Sequence, residues 1–411
     1  MPSDASTVRV ALRDLVLGDD PLAAAAARRL TRFDLWPTAV ALSGQWRMTP
    51  VLRERLGRLD AGAPDPASGA RLREMTIAAT AHSALAVTRS REVLALLERA
   101  GVEAVAIKGV ALIASLYGHR SVRMVGDLDL VVREGGYAAA RNALAEAGYV
   151  DENLALDRHL SDIALSPHLH NVARNLVSAD FEVDVHWQFG FKPPAEFRTD
   201  RVIERAQPAL LAGTRIRVAA PPDAMTIAAH HSLRGYFAPH EVVKDAYDLA
   251  AWWSLRPNAW RLDDVIDSAI AAEVATALYA LWELVRRRAP GHAVAAGVSA
   301  LGARLGPRAR CEAEQLADFC EEQFERGTRA ERTVQIFDAG RLCRTAFGHG
   351  KRLIAGAPPE GPLPQPPFPR RPIALRLAGA AQRVVRVARD LAHVRAYGRY
   401  RALARAQGRH H

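Results

Sequence analysis

The sequence predicts an α+β / α/β fold, a small sheet flanked by helices and set between helical regions at either end of the chain. Three features carry that prediction. Short β-branched runs at 102–109, 125–132 and 180–189 alternate with helix-length segments, which is the strand–helix–strand order of an α/β sheet. Before 100 and after 220, apolar residues instead recur at three- and four-residue spacing, the period of a helix face. With 411 residues and 49% hydrophobic content, the chain is long enough for two or three domains, each with its own core.

Within residues 1 to about 60, "DDPLAAAAARRLTRF" and "MTPVLRERLGRL" predict helices. "DAGAPDPASGA", Asp60 to Ala70, interrupts them with Pro, Gly and Ser and reads as a loop. A long helix is expected from about Arg71 to Arg99, closed by Gly101. "VEAVAIKG", Val102 to Gly109, reads as a buried strand running into a turn. "VALIASLYG" is then a short helix ending at Gly118, and "VGDLDLVV" the second strand. A helix begins after Gly135 and Gly136, and "DFEVDVHWQF", Asp180 to Phe189, alternates polar and apolar positions as a third strand. Helices resume near "PPDAMTIAAHHSLRGYF" and continue through "EVVKDAYDLAAWWSL" and "AWRLDDVIDSAIAAEVATALYALWELVRRRA". "GAPPEGPLPQPPFPRRP", Gly356 to Pro372, has the composition of an extended linker. The chain therefore divides into a helical region 1–100, an α/β core 101–220, a helical domain 221–355, a Pro-rich linker 356–372 and a basic helical tail 373–411, with no repeat of fixed period.

The net charge of +10 is unevenly spread. From Gly361 to His411 there are eleven Arg against one Asp and no Lys or Glu, so this segment accounts for the entire excess. The high pI is therefore no argument for nucleic-acid binding by the whole chain. Arg383, Arg386, Arg389 and Arg395 recur at helical spacing among valines, so the tail either docks on the body and solvates its outer face or meets an acidic partner: a membrane surface, a nucleic acid or a protein. Only Tyr397 and Tyr400 offer aromatic stacking there. Cys311, Cys320 and Cys343 lack CxxC spacing, which predicts reduced, mostly buried thiols in a cytoplasmic protein rather than disulfides or a zinc site. No charge-free apolar run reaches the roughly 18 residues of a membrane span, and no secretory signal is expected.

"RSVRMVGDLDLVV", Arg120 to Val132, sets two carboxylates inside an apolar run. Strand side chains alternate, so Asp127 and Asp129 share one face while Leu128, Leu130 and Val132 take the other. Two carboxylates held this close repel and pay for lost hydration unless a cation stands between them. A hard divalent ion resolves the conflict, and Mg²⁺ normally completes its shell with water and substrate phosphates. A third acid is available in the next strand, where Glu182, Asp184 and His186 fall on one face. Three carboxylates from neighbouring strands, facing one cleft, satisfy the requirement for two-metal transfer of a phosphoryl or nucleotidyl group.

The successive blocks "AIKGVALIASLYGHRSVRMVGDLDLVVREGGYAAARNALAEAGY", "FEVDVHWQF" and "VAAPPDAMTIAAHHSLRGYFAPHEVVKDAYDLAAWW" resemble those of the uncharacterised bacterial nucleotidyltransferase family within the polymerase-beta-like nucleotidyltransferase superfamily. The likeness covers about residues 30 to 260. It implies a small mixed sheet flanked by helices, a helical domain closing over the nucleotide, and transfer of an NMP, or as the second choice a phosphoryl group, from an NTP such as ATP to an unidentified acceptor: a small molecule, peptide or RNA. By the same resemblance Asp127 and Asp129 match the metal-binding pair for Mg²⁺ (or Mn²⁺), and Asp184 in "VDVHW" the third acid. Lys108 and Gly109 match a Lys-Gly turn at the triphosphate, and Arg123 the Arg that precedes the acids. The wider superfamily's Gly-Ser pair is Gly109-Val110 here, which removes one hydroxyl contact to phosphate.

Other residues have two readings each. Glu182 is an alternative third acid. His186 is either a phosphate or metal-shell group or a histidine packed beside Trp187. His168 and His170 sit in an expected loop or hairpin, as surface groups or, second, catalytic ones, and His230 and His231 lie on a helix, either as satisfied core residues or as the functional histidines that the family match suggests. Lys244 and Asp248, four apart, form either a surface ion pair or, by the family match of "KDAYDLA", a unit in which Asp248 aims Lys244 at the triphosphate. Two other functions compete: a catalytically inactive nucleotide-binding accessory protein, and an RNA-modifying toxin-type transferase that uses the Arg-rich tail.

Overall fold

The computed structural model describes residues 4–59, 62–118, 122–151, 173–178, 180–189, 194–234 and 237–326. His168, His170, Cys343, the Pro-rich segment and the basic tail lie outside these residues. The described strands are β1 Ala104–Ala106, β2 Asp127–Val132, β3 Val150–Asp151, β4 Ala173–Val177, β5 Glu182–His186, β6 Gln207–Leu211 and β7 Thr214–Val218. They form a mixed sheet in the order β3-β4-β5-β2-β1-β7-β6. β2 pairs in parallel with β5, β1 in parallel with β7, and the other neighbours are antiparallel.

The alternation read in β2 and β5 decides which face is packed. Leu128, Leu130, Val132, Val183 and Val185 join one core cluster with Val93 and Leu97 of the Pro66–Arg99 helix and Ala140 and Leu144 of the Tyr137–Glu146 helix. Each of these leucines is fully buried, and such a side chain contributes about 1.5–3 kcal/mol. The polar positions of β2 and β5 are thereby forced to the opposite face. Helices over Asp4–Leu17, Asp20–Arg32, Trp36–Gln45 and Thr49–Arg58 precede the sheet, and Pro221–Arg234, Pro239–Leu255, Leu262–Ala271, Ala275–Arg288, Val294–Arg304 and Pro307–Arg326 follow it.

Several local expectations need correcting. The long helix starts at Pro66, inside the stretch read as a loop, because the Asp65 side chain accepts a hydrogen bond from Ser68 N (2.9 Å) and Pro66 occupies the first turn. The hairpin of β6 and β7 was not anticipated. Its turn residues Ala212 and Gly213 have φ of +46° and +81°, the geometry that lets a two-residue loop follow strand twist. The segment ending in "LVRRRA" is two helices, separated by a left-handed Glu273 (φ +58°). Cys320 is buried as expected, and burial pushes its thiol up, but Cys311 is exposed. No described helix is long and apolar enough to cross a membrane.

Candidate active site

The parallel register sets Asp127 opposite Glu182 and Asp129 opposite Asp184. Asp129 and Asp184 side chains come together with His186, their ligand atoms all lying within 4.8 Å of one another. His186 Nε2 is 3.3 Å from Asp129 Oδ1 and 3.0 Å from Asp184 Oδ2. Burial opposes a charged imidazole, and the Asp184 carboxylate with the hydrogen bonds to both acids more than offsets it and favours the charged form; against this, the buried Nδ1 has no partner for a second proton. A single N–H at Nε2, shared between the two acids, satisfies this geometry best. Asp127 lines the same cleft outside that tight group. Burial and the Asp129 charge push its carboxyl above the ordinary range.

Lys108 follows β1, whose ladder to β2 is extended by Ile107 N donating to Asp129 O (3.0 Å). The Lys108 backbone is left-handed (φ +52°), and its Nζ lies 2.6 Å from Asp129 Oδ1. Burial would raise the Asp129 carboxyl, but the Lys108 charge and the His186 hydrogen bond hold it well below the ordinary range. Burial disfavours a charged Lys108, yet Asp129 and Asp184 keep its ammonium above the ordinary value. In this protein the ammonium is therefore the counter-cation of the acid group. Gly109 also lines the cleft, where a Cβ would meet Val125 Cγ2 at 3.1 Å. Val110 is fully buried, so it presents nothing to the cleft in place of the missing hydroxyl.

The cleft has a volume of about 480 Å³, and its far wall is helical. Arg123, in the segment before β2, donates from Nε to Asp248 Oδ2 (3.0 Å) and from a terminal nitrogen to Met124 O (3.0 Å). Tyr117 Oη donates to the other oxygen of Asp248 (2.6 Å). Asp248 is thus committed to Arg123 and Tyr117, and both readings that paired it with Lys244 are corrected: Lys244 Nζ instead bonds Glu241. The reason is position, since Asp248 is buried at the cleft wall, where Arg123 and Tyr117 take one of its oxygens each.

His231 Nδ1 lies 2.9 Å from Asp245 Oδ2, which also accepts from Ser232 Oγ (2.6 Å). With Glu241, His231 and Asp245 make a second close group on this wall. His230 instead packs edge-on against Phe189 and Phe197. Glu182 is exposed and accepts from Asn175 Nδ2, and it does not line the cleft. The structure therefore gathers Asp127, Asp129, Asp184, Lys108, Gly109, Arg123 and Lys244 around one cavity, with His186 beneath the acids. It adds Arg47, Glu241 and Asp245, which the sequence reading did not single out.

The family model that this chain matches is one of nucleotidyltransferases, a class to which a mixed sheet carrying carboxylates on two adjacent strands, with a lysine and a glycine beside them, is suited. More particularly, the chain belongs to the family of uncharacterised nucleotidyltransferases, whose profile matches residues 34–290. No curated protein matches the sequence. The structure is similar to the solution structure of the antibiotic-resistance factor ANT(2'')-Ia at 12% identity, over 66% of this chain and 98% of that one, with a TM-score of 0.29.

Proposed function

We propose that this chain transfers a nucleoside monophosphate from an NTP, ATP first among them, to a hydroxyl-bearing acceptor, with Mg²⁺ or Mn²⁺ held by Asp127, Asp129 and Asp184. One observation carries the reading: Asp129 and Asp184 face one another across parallel β2 and β5, beside Asp127, on a cleft that also holds Lys108 and Gly109. Carboxylate oxygens suit a hard divalent ion, and the Lys108 ammonium already stands where positive charge is needed. The bound ion would supply electrostatic stabilisation of the phosphoryl group and the departing pyrophosphate.

The remaining work falls to the chain's own side chains. Lys108, released from Asp129, takes a phosphate oxygen. Arg123 is held still by Asp248 and offers its remaining N–H donors. Lys244 screens the triphosphate from the helical wall, and His186 fixes the orientation of Asp129 and Asp184. His231 is oriented through Nδ1 by Asp245. Its Nε2 has no hydrogen-bond partner among the described residues and is suited to accept the acceptor's proton. The acceptor oxygen then bonds the α-phosphorus as its bond to pyrophosphate breaks.

The test uses the purified full chain with Mg²⁺, each of the four NTPs and a panel of small-molecule, peptide and RNA hydroxyl acceptors. Mg²⁺-dependent release of pyrophosphate with transfer of the α-phosphate is expected. Absence of both nucleotide binding and pyrophosphate release across all four NTPs would end the reading.

A further inference from the structure

Six cationic or imidazole side chains line the cleft: Arg47, Lys108, Arg123, His231, His240 and Lys244. Five are engaged by carboxylates. Lys108 is held by Asp129, Arg123 by Asp248, His231 by Asp245, and both His240 and Lys244 by Glu241. Among the described residues the Arg47 guanidinium makes no hydrogen bond or ion pair. Of the cleft's acids, Asp127 is likewise without either among the described residues. An unsatisfied carboxylate and an unsatisfied guanidinium thus share one cavity without being bonded to each other.

Arg47 is also held in place. It closes the Trp36–Gln45 helix in a left-handed conformation (φ +57°), with its N–H donating to Gly44 O (3.0 Å) and Met48 N to Ser43 O (2.8 Å). At the end of the Pro66–Arg99 helix the same pair of bonds runs from Gly101 N to Glu98 O and from Val102 N to Leu97 O, and glycine is the residue that adopts this backbone without steric cost. Asp34 and Glu273 occupy equivalent caps elsewhere, so the backbone alone does not single out Arg47; its place on the cleft and its unanswered charge do. Buried Trp46 and Met48 on either side pin the turn, so the guanidinium stands on a fixed base while remaining exposed.

We propose that Arg47 and Asp127 are the two ends of a subsite for a metal-bound polyphosphate, Asp127 taking the metal ion and Arg47 the phosphate oxygens. A guanidinium matches phosphate with two parallel N–H donors, and a ligand carrying both a hard cation and bare anionic oxygens answers both charges at once. The helices before the sheet thereby complete a nucleotide site whose other parts come from the sheet and the helices after it. The proposal rests on the nucleotidyl-transfer reading above.

The test measures binding to the full chain of three probes with Mg²⁺: a non-hydrolysable ATP analogue, inorganic tripolyphosphate and AMP. Arg47→Gly should weaken the analogue and tripolyphosphate by roughly 10- to 100-fold, the size of one charge-assisted hydrogen-bonding group, and leave AMP unchanged. Arg47→Lys should fall between. Because glycine suits the cap, Arg47→Gly should melt no lower than wild type, which separates a lost ligand contact from a damaged fold. Undiminished tripolyphosphate binding by Arg47→Gly, or an equal loss for AMP, overturns this proposal alone. A wild-type chain that binds no nucleotide overturns the nucleotidyl-transfer reading and this proposal with it.

Discussion

Asp129 and Asp184 are register partners on parallel strands, and one imidazole, that of His186, bridges them. Like charges this close are tolerated because Lys108 Nζ sits 2.6 Å from Asp129. Replacing Asp184 by Asn removes one charge and keeps the shape. The variant should unfold within about 1 kcal/mol of wild type, while Mg²⁺-dependent pyrophosphate release falls on the order of 100-fold or more. Thermal melts beside a pyrophosphate assay read both, and full turnover by Asp184→Asn would remove this residue from the metal set.

Arg123 and Asp248 form a buried pair with Tyr117, their side chains 9% and 4% exposed. Burial pushes the Asp248 carboxyl up despite the guanidinium beside it. Truncating one partner leaves the other charge buried and unanswered, so Asp248→Ala should cost about 3–5 kcal/mol in denaturant unfolding. The joint replacement Arg123→Met with Asp248→Leu should recover most of that loss. If the double variant is as unstable as the single one, the cost lies in packing rather than in charge.

Glu241 sets an acid limit. Burial would raise its carboxyl above the ordinary 4.5, but the His240 hydrogen bond and the Lys244 and His231 charges reverse this and hold it well below. A carboxylate depressed by folding contributes stability that is fully present above its unfolded value and lost as pH falls towards the folded one. The wild-type melting temperature should therefore drop between about pH 5 and pH 3, and Glu241→Gln should drop less steeply over that interval. Parallel slopes would place the acid sensitivity in other groups.

Gly297 lies in the Val294–Arg304 helix, against two indoles. A Cβ there would meet Trp253 Cζ2 at 2.6 Å and the Trp282 ring at 3.0 Å. Trp282 is fully buried and has no room to yield, so Gly297→Ala should destabilise by about 1–3 kcal/mol through overpacking. Nucleotide binding at saturating ligand should be unchanged, since Gly297 does not line the cleft. An unshifted melting temperature would mean that the helix slides to accommodate the methyl group.

The acids were legible because alternation is a local property: Leu128 and Leu130 facing the core oblige Asp127 and Asp129 to face away. Their pairing was less so. That β5 lies beside β2 in parallel, aligning Asp184 with Asp129, is decided by crossovers and long-range packing rather than by any short window. The β6–β7 hairpin escaped because Ala-Gly is a weaker turn signal than Asn-Gly. Asp248 was assigned the wrong partner for a related reason: four-residue spacing names its neighbour Lys244, whereas Arg123 reaches it from far along the chain. Arg47 was invisible, since a helix cap can be read from sequence but the cavity it overlooks cannot.

Side-chain alternation in β2 also polices assembly. Sliding β2 by a single position would drive Asp127 and Asp129 in among Val93, Leu97 and Leu144 and turn three aliphatic groups towards water. Misaligned pairings are therefore self-rejecting. The carboxylates that burden the finished molecule with repulsion also act as its proofreading marks, allowing the sheet to close only in the alignment that turns them towards the cleft.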